Sequence, residues 1–294
     1  MQTAVAFIGL GVMGYPMAGH LARAGYPTTV FNRTASRAGA WLAAYGDTEC
    51  AHVAETPVAA ARGAGLVFVC VGDDRDVEEV ICGDDGVFAG LGRGAVLVDH
   101  TTASAALARE LAAMAEGQGG GFLDAPVSGG QAGAEQGTLT VMAGGDERHF
   151  ATARPAIECY ARSVRLLGPA GSGQLAKMVN QICIAGIVQG LAEGLTLARA
   201  AGLDAAAVIE VISKGAAQSW QMDNRARTMI DDEFDFGFAV KWMRKDLKIC
   251  LEESRGLGIS LPLTALVDQF YADVEAMGGA RWDTSSLIRR LGRP

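Results

Sequence analysis

The chain has 294 residues, half of them apolar, with 33 acidic against 25 basic side chains and a formal net charge of −8. That length suits two domains, and the apolar half supplies a substantial core. The acidic balance excludes the basic face that non-specific nucleic-acid binding needs, yet it permits an anionic ligand held locally at a helix N-terminus.

Up to about residue 165, short β-branched runs alternate with helical stretches. The periodicity predicts strands at 4–8, 28–31, 66–71, 95–98 and 139–143. Helices are predicted between them at 12–24, 34–45, 74–81, 104–116 and 146–160, with Thr34 and Ser104 as N-caps. This alternation implies a doubly wound, mostly parallel sheet.

After Gly168-Pro169-Ala170-Gly171 the pattern changes. One long helix is predicted over 172–201, spanning roughly 40–45 Å at about 1.5 Å per residue. It is apolar nearly all round, so it must be covered on most sides. Gln189 and Glu193 interrupt its most apolar part, which reads as a buried protein helix and not a membrane span. Further helices are expected at 204–213, 238–256, 262–277 and 284–291. Asp204, Pro262 and Asp283 are their start signals; Gly202, Gly258 and Gly278 are stop signals. No strand signal follows 168. The expected architecture is therefore an α/β domain over 1–168 and an all-α domain over 169–294.

The six cysteines form no CxxC or metal-like spacing, and the four histidines are isolated. They are read as reduced thiols of a cytosolic protein, with no metal site. The N-terminal run lacks a basic leader and is not read as a signal peptide.

The first strand runs into Gly9-Leu10-Gly11-Val12-Met13-Gly14, a GxGxxG that opens a helix. In that context Gly9 permits a tight turn, Gly11 lets the backbone approach a pyrophosphate, and Gly14 allows close helix–strand packing. The second strand ends at Asn32-Arg33-Thr34, without the carboxylate that would accept a ribose 2′-hydroxyl. Arg33 can pair with a 2′-phosphate, and Asn32 and Thr34 add neutral donors, so NADP(H) is the expected cofactor. The alternative is an Arg33 that simply meets solvent at a helix start. Val71-Gly72 and the segment ending in Thr102 lie at strand ends, where a doubly wound sheet places its ligands; Thr102 is a candidate for the nicotinamide side.

Ser128, Gly129 and Gly130 offer a hydroxyl and unhindered backbone N–H groups, which suits a carboxylate. Lys177 lies in the early turns of the long apolar helix, with Gln181 at i+4 on the same face. Burial there would lower the lysine pKa and fit it for proton exchange near neutrality. On spacing alone, a lysine snorkelling to the surface is an equal reading. Trp220, Phe234, Phe236, Phe238 and Trp242 either line a pocket or fill the helical core, and core is the preferred reading.

Four segments, Phe7–Met17, Asp124–Gly130, Gly168–Gln181 and Lys245-Asp246-Leu247, resemble the β-hydroxyacid dehydrogenase family in order and across nearly the whole chain. That family includes 3-hydroxyisobutyrate dehydrogenase, tartronate semialdehyde reductase and glyoxylate/succinic semialdehyde reductases. The resemblance implies a Rossmann domain and an enzyme that moves hydride between a nicotinamide cofactor and a small carboxylate-bearing substrate. It implies Lys177 as general acid/base, Ser128, Gly129 and Gly130 as the carboxylate loop, and Thr102 and Lys245 beside the cofactor. Asn180 and Gln181 are implied as substrate contacts; many members carry Asn where Gln181 stands. Asn32-Arg33-Thr34 resembles the NADP-using reductases. A homo-oligomer, dimer or tetramer, built through the helical half is expected, with no nucleic-acid or membrane partner. An imine reductase of the same superfamily, or a non-catalytic scaffold, is the alternative; such chains lack the lysine at the position of Lys177.

Overall fold

A computed structural model describes residues 2–48 and 50–292. The chain divides into two compact units, Met1–Lys177 and Met178–Pro294.

In the first unit, β1 (Val5–Ile8), α1 (Gly14–Arg23), β2 (Thr28–Phe31), α2 (Ala35–Tyr45), β3 (Ala51–Val53) and α3 (Pro57–Ala61) lead to β4 (Leu66–Val69). Then come α4 (Asp74–Cys82), β5 (Val96–Asp99), α5 (Ala105–Gly117) and β6 (Gly121–Asp124). β7 (Val127–Ser128), α6 (Gly130–Gln136), β8 (Leu139–Gly145), α7 (Glu147–Ile157) and β9 (Ala161–Leu166) complete the sheet. Its order is β3-β2-β1-β4-β5-β6-β8-β7, with β9 pairing to β8. The strands from β3 to β6 are parallel, and β8 runs antiparallel to β6. The order therefore reverses between β1 and β4, where a doubly wound sheet opens its ligand crevice beyond the strand ends.

Both faces of this sheet are buried, so its central strands are continuous apolar runs and not alternating ones. Val5, Phe7, Phe68, Val96 and Val98 pack on one face against α1 and α7. Ala6, Ile8, Val67, Val69 and Leu97 pack on the other against α3, α4 and α5.

The long helix α8 (Ser172–Ala200) begins in the first unit and continues into the second. There it joins α9 (Ala205–Ile212), α10 (Trp220–Asp231), α11 (Val240–Gly256) and α12 (Pro262–Ala276), with a 3-10 segment over Thr284–Leu291. A core of Val188, Leu195, Met229, Met243, Leu247 and Tyr271 holds these helices together. Asp204 and Asp283 act as the start signals expected of them, each accepting backbone N–H groups through its carboxylate. Among the described residues, α8 is the one helix long and apolar enough to cross a membrane, and 44% of its most apolar window is buried in the protein. Of the aromatic residues in question, Phe234 is in the core and Phe238 packs on it. Trp220 and Phe236 are exposed and flank the Arg225 guanidinium at 4.9 and 5.0 Å.

Candidate active site

The turn after β1 is built by its glycines. Gly9 has φ +96°, and a Cβ there would lie 2.3 Å from the Cys70 carbonyl oxygen. A Cβ on Gly14 would lie 2.0 Å from the Gly9 carbonyl oxygen and 2.9 Å from the Phe7 ring. A Cβ on Gly11 would meet nothing within 4 Å, so the space beside this residue is open to an approaching group. The Leu10 side chain is buried, and its N–H donates to Asn32 Oδ1 at 2.8 Å. Asn32 in turn donates from Nδ2 to the Thr34 carbonyl at 3.1 Å. Val12 is exposed, and Met13 rests on the core. The open space beside Gly11 in front of a helix start is a cradle that fits a dinucleotide pyrophosphate. The Arg33 side chain is 77% exposed, with Nη1 at 3.5 Å from Asp76 and 4.0 Å from Glu79.

The loops after β4 and β5 are tied together, since the Val71 N–H donates to Thr101 Oγ1 at 3.0 Å. The Thr101 N–H donates to Asp99 Oδ1 at 2.9 Å. Next to them His100 is buried, stacked on Phe68 with ring centroids 5.6 Å apart. Its Nδ1 is 2.6 Å from the Ala125 carbonyl and its Nε2 is 2.8 Å from the Tyr160 hydroxyl. A carbonyl only accepts, so Nδ1 carries the proton and Nε2 accepts from Tyr160. Burial holds His100 down to about 4 and pushes Asp99 up to about 7. Thr102, half-buried, follows directly.

β6 ends in Asp124, from which the segment to Ser128, Gly129 and Gly130 departs. Ser128 is half-buried; Gly129 and Gly130 are exposed at φ +133° and +61°, a region that favours glycine. Asp124 is fully buried. Its Oδ1 and Oδ2 accept from the N–H groups of Gly171 and Gln174, both at 2.8 Å, at the start of α8. Burial raises its pKa against the pull of those amides. Gln174, also fully buried, donates to the Thr101 carbonyl at 2.8 Å and accepts from the Ala103 N–H at 3.0 Å. Lys177 lies one helical turn further on and is buried.

In the second unit the remaining candidates are linked. Asn180 donates to Gln181 Oε1 at 2.8 Å, and Gln181 donates to Asp246 Oδ2 at 2.6 Å. Lys245 Nζ lies 3.0 Å from Asp246 Oδ1, and Asp246 is 2% exposed. Sequence reasoning assigned no role to Asp246. The signal was available: Val240, Met243, Leu247 and Cys250 mark the buried face of α11, and Asp246 falls on that face.

A sheet wound in this order, a glycine cradle at its crevice and an appended helical unit define a dinucleotide-dependent dehydrogenase. Residues 4–168 match the NAD-binding domain of 6-phosphogluconate dehydrogenase. Residues 171–291 match the NAD-binding domain of NADP-dependent 3-hydroxyisobutyrate dehydrogenase. An uncharacterized oxidoreductase of Shewanella frigidimarina is 62% identical, over 98% of this chain and 97% of the relative. The 2-hydroxy-3-oxopropionate reductase of Escherichia coli is 35% identical, over 98% and 96%. The structure of 3-hydroxyisobutyrate dehydrogenase with L-serine from Mycobacterium tuberculosis superposes with a TM-score of 0.89 at 32% identity, covering 100% of both chains. The chain belongs to the β-hydroxyacid dehydrogenase family and is an NAD(P)-dependent dehydrogenase of CH–OH donors.

Proposed function

We propose that this enzyme transfers hydride between NADP(H) and a small β-hydroxyacid or aldehyde acid, of the 3-hydroxyisobutyrate, tartronate semialdehyde, glyoxylate or succinic semialdehyde type, with Lys177 as general acid/base. The observation that carries the reading is a buried lysine one turn into α8. The start of that helix is bonded to the strand end from which the Ser128 segment leaves. The nicotinamide, when bound, supplies the hydride chemistry. Ser128 with the Gly129 and Gly130 amides receives the substrate carboxylate, and Asn180 and Gln181 contact the substrate. In reduction, protonated Lys177 gives its proton to the oxygen of the reacting carbonyl; in oxidation, neutral Lys177 takes the hydroxyl proton. Such acid/base help is worth about 10²–10⁴-fold.

Gly9, Leu10, Gly11, Val12, Met13 and Gly14 hold the pyrophosphate, with Val71, Gly72, Thr102 and Lys245 as further cofactor contacts. Asn32, Arg33 and Thr34 face the adenosine ribose. Arg33 rests against Asp76 and Glu79 at the surface, a pairing worth about 0–1 kcal/mol. A charge-assisted hydrogen bond to a 2′-phosphate is worth about 1.5–3 kcal/mol, so the phosphate wins the guanidinium. We assign cofactor binding to 1–168, substrate binding and assembly to 169–294, and the cytoplasm as the compartment.

Rates with C2–C4 aldehyde acids, hydroxyacids and cyclic imines, each with both dinucleotides, test this. The expected result is turnover of the acids with NADPH favoured over NADH by at least about tenfold in kcat/KM, a preference that Arg33→Ala erases. Turnover of imines alone would overturn the substrate class; an NADH preference would overturn the reading of residues 32–34 and leave the hydride transfer standing.

A further inference from the structure

Two segments of the candidate site are bonded to the first turn of α8 through two buried side chains, and a third is tied to them through Thr101. From the strand side, Asp124 accepts the Gly171 and Gln174 amides, one on each carboxylate oxygen. From the helix side, Gln174 returns two bonds of opposite polarity to the loop after β5, donating to the Thr101 carbonyl and accepting the Ala103 amide. Thr101 then reaches the loop after β4 by accepting the Val71 N–H on its hydroxyl. We propose that Asp124 and Gln174 are positioning residues that fix the height and rotation of the start of α8, and hence the place of Lys177 relative to the Ser128 segment and the loops at 71–72 and 101–102.

Helix N-termini leave their first backbone N–H groups without intrahelical partners, and water or a local Ser or Asp ordinarily satisfies them. Here the acceptor comes from the end of a central strand, 47 residues before Gly171. One cap alone would leave the helix free to rotate about its axis. The Gln174 side chain removes that freedom, because an amide that must donate to one peptide and accept from another fits in a single orientation. There is no slack in the seat. A Cβ on Gly173 would lie 2.4 Å from the Met142 carbonyl oxygen and 2.5 Å from that of Asp124. A Cβ on Gly144 would lie 2.7 Å from the Gly173 nitrogen. The helix start therefore rests on β6 and β8 at backbone contact. Both oxygens of Asp124 and both polar atoms of Gln174 are taken by the protein, and both residues are fully buried, so neither reaches a substrate. A misplacement of about 1 Å at a reacting group costs on the order of 100-fold in rate.

This inference rests on Lys177 being the acid/base, and the test separates the two. Gln174→Met keeps the length of the side chain and removes both bonds. Asp124→Asn keeps one acceptor and turns an NH2 against the other amide. Single-turnover hydride transfer is measured for each and for Lys177→Ala, with dinucleotide Kd and amide exchange over residues 100–104 of the cofactor-free protein. The expected result is a rate constant lowered about 10- to 100-fold in both positioning variants at undiminished amplitude. Dinucleotide Kd sets the saturating concentration used for each variant, and exchange over 100–104 should be faster in Gln174→Met. Wild-type rate constants, a loss confined to amplitude, or unchanged exchange in Gln174→Met overturns the positioning role. Wild-type turnover in Lys177→Ala instead overturns the acid/base reading. Should Asp124→Asn fail to fold, Gln174→Met decides the matter alone.

Discussion

Asp99 and His100 are neighbours in sequence, both are buried, and burial disfavours the charged form of each. Their consequences for stability run in opposite directions. Asp99 is raised from 3.8 to about 7. Its contribution is therefore complete below the unfolded value and is lost as pH rises through about 7. His100 is lowered from 6.5 to about 4. Its contribution is present above the unfolded value and is lost as pH falls through about 4. The two slopes occupy the same window and largely cancel. Asp99→Asn keeps an acceptor for the Thr101 amide and removes one of the two slopes. Denaturant unfolding at pH values between about 4.5 and 6.5 should show the variant losing stability relative to wild type on acidification, by up to about 1.4 kcal/mol per pH unit. Parallel curves for the two proteins would contradict the burial of Asp99. None of this was legible in the sequence. The segment 99–102 reads as a strand end near a ligand, and only the Ala125 carbonyl and the Tyr160 hydroxyl, distant in the chain, make His100 a neutral core residue.

At the scale of the element, the glycine turn, the long helix and the central strands β1, β2, β4 and β5 were legible because local pattern and tertiary demand agree there. The strands the sequence hid are those whose form is imposed by neighbours. β6 opens on a glycine, β3 is three residues long, and β9 carries largely exposed Arg and Ser positions. α10 was hidden by its polarity: it buries only Met222, Ala226 and Met229, spaced i, i+4, i+7, among charged residues. Caps show the same dependence on context. Ser104 accepts the Leu107 N–H at 3.1 Å, whereas Thr34, at an equivalent N-cap with extended backbone, makes no side-chain cap bond. Ser104→Ala should therefore cost about 1 kcal/mol of unfolding free energy and Thr34→Ala close to none. Equal losses in chemical denaturation would contradict the difference between the two caps. Among the candidate site residues, the glycine turn stood out by its context, and Lys177 was singled out by the family resemblance and not by spacing. Asp124, Gln174 and Asp246 were given no role, because their hydrogen bonds run to partners 47 to 73 residues away.

Over the whole molecule, the second unit leaves large apolar side chains in water. Val179 and Leu197 of α8 are 62% and 70% exposed, and Val211 of α9 is 72% exposed. Exposed apolar surface of this kind costs about 25 cal/mol per Å² relative to burial, and a second copy of the chain is the occupant proposed for it. Light scattering at micromolar concentration should give a dimer or tetramer; a monomer would contradict assembly through the helical half.

The chemistry proposed above turns on a single proton carrier. Lys177→Ala, assayed by NADPH oxidation with the best aldehyde acid, should lose about 10²-fold or more in turnover while its dinucleotide Kd and melting temperature stay those of the wild type. Turnover near the wild-type rate in that variant would contradict Lys177 as the acid/base of this dehydrogenase.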